Sequence, residues 1–207
     1  MGTLLERISE SIRKDSGLVA SRVNIFSGLR KASREDLFGE LSFCILAANT
    51  SAEMGIRVQN AIGNRGFLEM EPDELRSELN RIRCRFYNNR SRFIVEAREI
   101  ADDLPEIVNS ENTEEARDEL VRRVKGIGYK ESSHFLRNVG TFDFAILDKH
   151  IVGMISRDMG VEPIKSFSRK KYMEMEGHFK DLAREFNLKP GVLDLHMWKI
   201  ATGKVLK

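Results

Sequence analysis

Apolar residues recur at intervals of three and four along most of this chain, and no segment shows the convincing apolar–polar alternation of a strand. Spacing of three and four places apolar side chains on one face of an α-helix, whereas a half-buried strand has a period of two. We therefore predict an all-α protein of about ten short helices. The segments with helical spacing are Leu4–Ile12, Leu37–Leu46, Leu75–Ile82, Ile94–Leu104, Leu120–Val124, Phe135–Val139, Ile146–Ile155 and Leu193–Ile200.

Polar residues and prolines mark the ends of several predicted helices. Ser33 in SREDL and Ser51 in SAEM are residues of the type preferred at helix N-caps. Pro72, Pro105 and Pro163 lie where helices should begin or end, because proline lacks the amide hydrogen that a helix interior needs.

Composition excludes several classes of protein. No apolar run approaches the roughly 18 residues of a membrane helix. The N-terminal segment is too charged for a secretory signal, so we expect a cytoplasmic protein with no membrane partner. Cys44 and Cys84 are too few for a four-cysteine zinc or iron–sulfur site, and we expect both to be buried thiols.

The net charge of +2 conceals an uneven distribution along the chain. Residues 81–92 (RIRCRFYNNRSR) contain five arginines and no acid, whereas residues 101–120 contain eight acids against Arg117 alone. One basic and one acidic face would suit a protein that lays one side on a polyanion such as DNA, although charge runs also occur as simple solvated faces.

The segment VKGIGYKESSHFLRNVG, residues 124–140, indicates a tight helical hairpin. We expect one helix to end over Leu120–Lys125 and a second to run over Tyr129–Val139. Gly126 and Gly128 would allow a ligand close to the backbone, and the amides at the second helix's N-terminus would attract an anion. A DNA phosphate fits such a cradle, and a pair of C-cap glycines is the alternative interpretation.

Two charged residues in or near this hairpin suggest a catalytic role. Lys130 follows the hairpin at the start of the second helix, and a lysine amine can attack an aldehyde-level carbon to form an imine. Asp148 lies eighteen residues further on, about one helix and a loop away, so the two can face each other across a cleft. Taken singly, each residue would be an ordinary solvated charge.

These segments resemble a known family. VKGIGYKESSHFL followed by AILDKHIVGMI is similar to the helix-hairpin-helix signature, G-h-G-x-K and D-x-H, of the endonuclease III superfamily of DNA glycosylases. LSFCILAANTSAEMGIRVQNAI resembles the early helix and N-T-S turn of that superfamily, and RFYNNRSRFIVEAREI resembles its DNA-probing loop and helix. The C-terminal LDLHMWKIATGKVLK, with no cysteine cluster, resembles the second, archaeal-type family of 8-oxoguanine DNA glycosylases.

The resemblance implies an architecture of two helical subdomains with an active-site cleft between them, within one glycosylase unit over residues 1–207. Residues 33–145 would form a barrel-like subdomain ending in the helix-hairpin-helix motif at 120–139. Residues 1–32 and 146–207 would form the second. Because the chain lacks iron–sulfur cysteines and an N-terminal β domain, pyrimidine lesions and adenine mismatches are less expected as substrates.

The resemblance also implies a reaction. Lys130 would attack C1′ of the damaged nucleoside to form a Schiff base, and Asp148 would stabilise the cationic sugar and help activate the amine. Excision of 8-oxoguanine would be followed by β-elimination, with no metal or nucleotide cofactor. The partner would be double-stranded DNA containing 8-oxoguanine, bound by a monomer that flips the damaged nucleotide out of the duplex.

Candidates for DNA contact lie in the basic segment. Phe86 and Tyr87 stand among arginines, including Arg85 and Arg90, and apolar wedges hold kinked DNA open. A core aromatic pair is the alternative interpretation.

Two further DNA contacts come from the resemblance. Asn49 matches the family's gap-filling position, or it simply caps a turn. His150 matches the D-x-H histidine and would contact a phosphate, the alternative being a structural role.

Candidates for base recognition lie near the end of the chain. Trp198 and Asp194 share one face of the last helix, where Trp198 would stack on the base or else belong to the core. Gly203 allows a turn, so the terminal carboxylate and the Lys207 side chain could fold back over the pocket. The carboxylate would then accept the N7 hydrogen that distinguishes 8-oxoguanine from guanine. A frayed tail is the alternative.

Three functions remain possible at this point: a bifunctional 8-oxoguanine glycosylase/lyase, a glycosylase that is monofunctional or has another specificity, and a non-catalytic DNA-binding module. The combination of Lys130 and Asp148 favours the first, because a binding module has no use for that pair and a monofunctional enzyme does not need the amine.

Overall fold

The computed structural model describes residues 2–162 and 168–207, so Pro163 lies outside the described residues. Within these residues the chain forms eleven α-helices, one 3-10 helix and no strand, which confirms the all-α prediction. The elements are α1 (Leu4–Leu29), α2 (Arg34–Ala47), α3 (Ala52–Glu69), α4 (Pro72–Arg81), α5 (Tyr87–Ala97), η1 (Arg98–Ile100), α6 (Leu104–Asn109), α7 (Thr113–Arg123), α8 (Tyr129–Asn138), α9 (Lys149–Asp158), α10 (Arg169–Glu185) and α11 (Pro190–Thr202).

The chain divides into two compact units. Unit 1 contains Met1–Phe26 and Thr141–Lys207, and unit 2 contains Ser27–Gly140. Unit 2 therefore holds the helical hairpin with Lys130, and unit 1 holds Asp148 and the C-terminal helix.

The core of unit 2 is built around α2. Residues 37–46 are all buried, and α2 packs against α3, α5, α6 and α8. Such burial explains why this segment is apolar nearly all round. Its one buried acid, Glu40, accepts a hydrogen bond from Asn138 Nδ2 at 3.1 Å, which ties the end of α8 to the centre of the unit.

The core of unit 1 joins both ends of the chain. Val19 and Phe26 of α1 pack with Leu195 of α11 and with Val205, which follows that helix. α11 also contacts α9 and α10. The two sequence segments of this unit are thus joined through apolar contacts around α11.

The structure confirms some predicted helix boundaries and corrects others. Ser33 and Ser51 are N-caps, accepting hydrogen bonds from the amides of Asp36 and Met54. The segment Ile94–Leu104, however, is divided among α5, η1, a turn and the start of α6. The helix predicted from Ile146 begins only at Lys149, because Asp148 is its N-cap.

Two predictions about composition can also be compared with the structure. Both cysteines are free thiols in the interior, and burial raises the pKa of the Cys84 thiol. None of the helices in the described ranges is both long enough and apolar enough to cross a membrane.

Candidate active site and DNA-binding elements

The helix-hairpin-helix motif is formed as predicted, by α7, residues 124–128 and α8. Its two glycines differ in backbone conformation and in the space around them. Gly126 has φ of 87°, and a Cβ atom there would lie 2.4 Å from Cδ2 of Phe93. Gly128 has φ of −122° and ψ of −162°, which other residues also adopt, and its nearest neighbour for an added Cβ is 3.9 Å away. Gly126 is therefore required by conformation and packing, whereas Gly128 leaves open space beside the backbone.

The start of α8 carries Lys130 beside a carboxylate. The N-cap is Gly128, so no N-cap side chain accepts from the first-turn amides, and the side-chain cap comes from Glu131 instead. Glu131 Oε2 accepts a hydrogen bond from the Gly128 amide at 3.3 Å, while Oε1 lies 2.8 Å from Lys130 Nζ. Glu131 is not among the residues predicted from sequence, although a glutamate three positions after an N-cap is a known capping signal.

Buried polar contacts fix α8 against α7. Tyr129 donates a hydrogen bond from its hydroxyl to Asp118 Oδ1 at 2.9 Å, and the Arg117 guanidinium lies 5.5 Å from the Tyr129 ring centroid. Arg117 is 2% exposed and also donates to Ser133 Oγ at 3.3 Å. The backbone that carries Lys130 is therefore held on the side facing α7.

Asp148 occupies the N-cap of α9. Its Oδ1 accepts hydrogen bonds from the amides of His150 and Ile151, each at 2.9 Å. The carboxylate therefore lies at the positive end of the helix dipole, and its position is set by the backbone that it caps. Both of these hydrogen bonds go to Oδ1 and not to Oδ2.

A basic cavity of about 260 Å³ opens on unit 1, lined in part by the first two residues of α9. Four of its lining side chains are Arg7, Lys149, His150 and Arg157, and none of the lining residues is acidic. The His150 ring stands edge-on to Trp198, with ring centroids 5.4 Å apart. Arg7 and Arg157 were not predicted as site residues, although Arg157 lies two helical turns after His150.

The residues that follow α11 pack against the rest of unit 1. Gly203 adopts φ of 77°, and the following residues return so that Val205 is buried. Arg22 also donates to the Val205 carbonyl oxygen at 3.5 Å. Asp194 is 3% exposed, whereas Trp198 and Lys207 are partly exposed. The predicted turn at Gly203 is present, and the base-recognition roles of these three residues stay predictions.

A buried histidine on the same helix was also not predicted. His196 is 3% exposed, and its Nδ1 lies 3.0 Å from Ser11 Oγ of α1. Burial lowers the pKa of His196, and the nearby Asp15 carboxylate partly opposes that effect. At neutral pH this imidazole is uncharged.

The predicted DNA-probing residues of unit 2 lie in two turns. Asn49 follows α2 with φ of 54°, and Phe86 precedes α5 with φ of 58°. Phe86 is 54% exposed, a large aromatic surface left in solvent, and the exposed Arg85 guanidinium lies 5.0 Å from its ring centroid. Tyr87 is only partly exposed, so Phe86 presents the more exposed ring of the two, and the insertion of either into DNA stays a prediction.

Arg90 is placed differently from the prediction. It was expected to be a DNA-binding cation, but it is 4% exposed and its guanidinium donates to backbone carbonyls at the end of α2. Burial lowers the pKa of Arg90, although a guanidinium remains protonated at physiological pH. The side chain supports the interior and is not presented to a ligand.

No group of three or more histidine, cysteine or acidic side chains suited to a metal ion occurs in the part of the chain that the structure describes.

Comparison with known proteins identifies the family. Residues 19–188 match the family model described as 8-oxoguanine DNA glycosylase. An 8-oxoguanine DNA glycosylase/AP lyase of Picrophilus torridus is 50% identical over 202 residues, which cover 98% of this chain and 96% of the relative.

Two solved structures agree with this match. The 8-oxoguanine DNA glycosylase of Thermotoga maritima has a TM-score of 0.94 at 41% identity, covering 99% of this chain and 98% of that one. The Methanocaldococcus jannaschii 8-oxoguanine glycosylase/lyase, in complex with a 15mer DNA containing 8-oxoguanine, has a TM-score of 0.94 at 43% identity, covering 99% of each chain.

Proposed function

Because the chain belongs to the 8-oxoguanine DNA glycosylase family, we propose that it excises 8-oxoguanine from double-stranded DNA and then cleaves the strand at the resulting site. The observation that carries this proposal is the position of Lys130, which follows a glycine hairpin at a helix N-terminus whose N-cap residue has no side chain to occupy the first-turn amides. Such a terminus binds phosphate through its amides and so brings the amine to the DNA backbone.

Lys130 is the nucleophile of the proposed reaction. Its Nζ forms a bond to C1′ as the bond between C1′ and the base breaks, and the base leaves with the electron pair. Loss of a proton and opening of the sugar ring convert the adduct into an imine. Removal of a C2′ proton then expels the 3′ phosphate and breaks the strand. Glu131, 2.8 Å from Nζ, orients the amine before substrate arrives.

Asp148 stabilises the positive charge that develops on the sugar as the base departs. Two backbone amides hold its Oδ1, so the negative charge is positioned before the reaction begins. Preorganised charge of this kind requires no rearrangement in the transition state and is therefore effective in catalysis.

Contacts with the DNA lie in both units. In unit 2, Phe86 inserts at the site of the flipped nucleotide, Arg85 contacts phosphate, and Asn49 donates to the unpaired base of the opposite strand. In unit 1, the cavity lined by Arg7, His150 and Arg157 accepts a phosphate, since its lining charges are positive.

Trp198, Asp194 and Lys207 form the base-recognition set. The 8-oxoguanine base carries a hydrogen on N7, where guanine has a lone pair, so discrimination needs an acceptor facing that nitrogen. Guanine would leave such an acceptor unpaired, and a polar mismatch of this kind can reject a substrate by roughly 10⁴-fold. The packing of Val205 holds the end of the chain near α11.

We further propose that the protein acts as a monomer in the cytoplasm, on nucleoid DNA.

Borohydride trapping on a duplex containing 8-oxoguanine tests the proposed nucleophile. Lys130→Gln should abolish both the trapped adduct and strand cleavage while binding to the duplex persists, because the hairpin backbone is unchanged. Lys125→Gln is the matched control, since Lys125 lies in the same hairpin, is exposed, and pairs with Glu96 at 3.1 Å. Full trapping by Lys130→Gln would show that another amine forms the imine.

A further inference from the structure

We propose that Arg90 is a positioning residue that holds the Asn49 and Phe86 turns in one arrangement before DNA binds. The inference rests on the proposed function, in which Asn49 and Phe86 contact DNA. Arg90 itself lies in the interior, so we do not place it among the groups that contact DNA or the reacting atoms. Its effect on the reaction would therefore pass through the two turns.

The first link runs from Arg90 to the end of α2. One guanidinium nitrogen, Nη1, donates to the carbonyl oxygen of Ile45 at 2.9 Å and also to that of Leu46, while Nη2 donates to that of Ala48. The last carbonyls of a helix have no partner within the helix, and a cation there also interacts favourably with the helix dipole. The backbone that leads directly into Asn49 is therefore held from the interior.

The second link runs from Arg90 to the Phe86 turn. The backbone amide of Arg90 donates to the Phe86 carbonyl oxygen at 3.0 Å, and the guanidinium carbon lies 6.0 Å from the Phe86 ring centroid. The backbone bond is the first helical bond of α5, which any non-proline residue at this position makes, so the specific contribution of Arg90 is its guanidinium beside the exposed Phe86 ring.

The Phe86 turn needs such support most. Asn49 and Phe86 each have positive φ, which asparagine tolerates but which an aromatic residue keeps only where its surroundings impose it. Because one guanidinium reaches three carbonyls with a planar set of donors, a lysine ammonium would not reproduce the contacts. A fixed arrangement of both turns reduces the ordering required on binding and places Asn49 and Phe86 for a flipped nucleotide.

A double-mutant cycle separates this role from a general contribution to folding. Single-turnover excision of 8-oxoguanine is measured for Arg90→Met and Arg90→Lys, in the parent chain and in an Asn49→Ala/Phe86→Ala chain. Circular dichroism and denaturant unfolding confirm that each variant is folded at the assay temperature. The lysine variant keeps the positive charge and provides the test if the methionine variant does not fold. Arg76→Met, at an exposed arginine paired with Asp73, is the control and should stay within twofold of the parent.

In the parent chain, either Arg90 variant should lower excision by roughly 10-fold or more. In the Asn49→Ala/Phe86→Ala chain, the same change should add less than about twofold, because the groups that Arg90 positions are gone. An equal loss in both chains, or no loss in the parent, would overturn the inference while leaving the proposed function intact. If Asn49→Ala/Phe86→Ala excised as fast as the parent, the proposed DNA contacts themselves would be wrong, and the inference with them.

Discussion

The N-termini of α8 and α9 carry the two proposed catalytic residues, and they are built in opposite ways. At α9, Asp148 accepts two amides of its own helix, so the helix start is occupied by its own side chain. At α8, the N-cap is a glycine, so no N-cap side chain accepts from the first-turn amides, and among the backbone amides Glu131 binds only that of Gly128. One helix start therefore positions a negative charge, and the other presents its amides to an external anion beside a lysine.

The different N-caps of α8 and α9 also explain how Lys130 and Asp148 are each accommodated at a helix N-terminus. A carboxylate at a helix N-terminus interacts favourably with the dipole, whereas a lysine there does not. At α8 the acidic residue is displaced to Glu131, which contacts both the Gly128 amide and Lys130 Nζ. A helix N-terminus therefore favours a negative charge. The residue at the N-cap determines whether that charge comes from the protein's own side chain or from a bound anion.

The largest effect on excision is expected at the start of α9, where Asp148 caps its own helix. Asp148→Asn should reduce excision by roughly 10²-fold, about 3 kcal/mol, because the charge is lost. Asparagine is itself a good N-cap, so the free energy of unfolding should change little. Single-turnover excision and denaturant unfolding measure the two quantities. Excision within twofold of the parent would show that the Asp148 charge does not stabilise the transition state.

The two hairpin glycines should respond differently to alanine. Gly126→Ala should destabilise the fold by about 1 to 3 kcal/mol, because alanine is strained at positive φ and would contact Phe93. Gly128→Ala should change the free energy of unfolding by less than about 0.5 kcal/mol, because its conformation is ordinary and its surroundings are open.

Gly128→Ala should nevertheless weaken DNA binding, since the added methyl group lies where a phosphate would approach the amides. Denaturant unfolding and fluorescence anisotropy with duplex DNA measure the two effects. If Gly128→Ala binds DNA as the parent does, the start of α8 is not a phosphate site.

A smaller effect on excision is expected from Glu131, the acidic residue at the start of α8. Glu131→Gln retains an oxygen that can accept the Gly128 amide hydrogen but removes the negative charge beside Lys130. We therefore expect excision to fall several-fold with little change in stability, whereas Glu131→Ala should also lower the free energy of unfolding by about 1 kcal/mol through loss of the cap. Equal excision by the parent and Glu131→Gln would limit Glu131 to capping.

The smallest effect concerns unit 1, where burial lowers the pKa of His196. In the unfolded chain a histidine has a pKa of about 6.5, so on acidification the unfolded chain binds this proton before the folded protein does. Stability from His196 is therefore fully present above about pH 6.5 and lost as pH falls below it.

His196→Gln should reduce the difference in unfolding free energy between about pH 7.5 and about pH 5.5. His178→Gln, at an exposed histidine of α10, is the control and should leave that difference unchanged. The same difference in His196→Gln and the parent would mean that other groups cause the acid sensitivity.

Much of the molecule could be predicted from short-range sequence features. Helical spacing and the serine caps at Ser33 and Ser51 are local properties, because they depend on residues within one or two turns. The hairpin around Gly126 could be located for the same reason. The periodic segment Ile94–Leu104 was misjudged, because continuous apolar spacing does not show where a helix breaks.

By itself, the sequence determined the all-α class, the helical hairpin, and the placement of Lys130 at the start of the hairpin's second helix, since each follows from neighbouring residues. The structure moved the start of α9 from Ile146 to Lys149 and so made Asp148 its N-cap. Only the tertiary structure decided that Arg90 is interior while Arg85 is exposed, although both belong to one basic run. It also decided that Gly126 lies against Phe93, and that Val205 joins a core with Val19. These contacts join residues far apart in the chain, and a local pattern of charge or hydrophobicity carries no information about which distant groups will surround it.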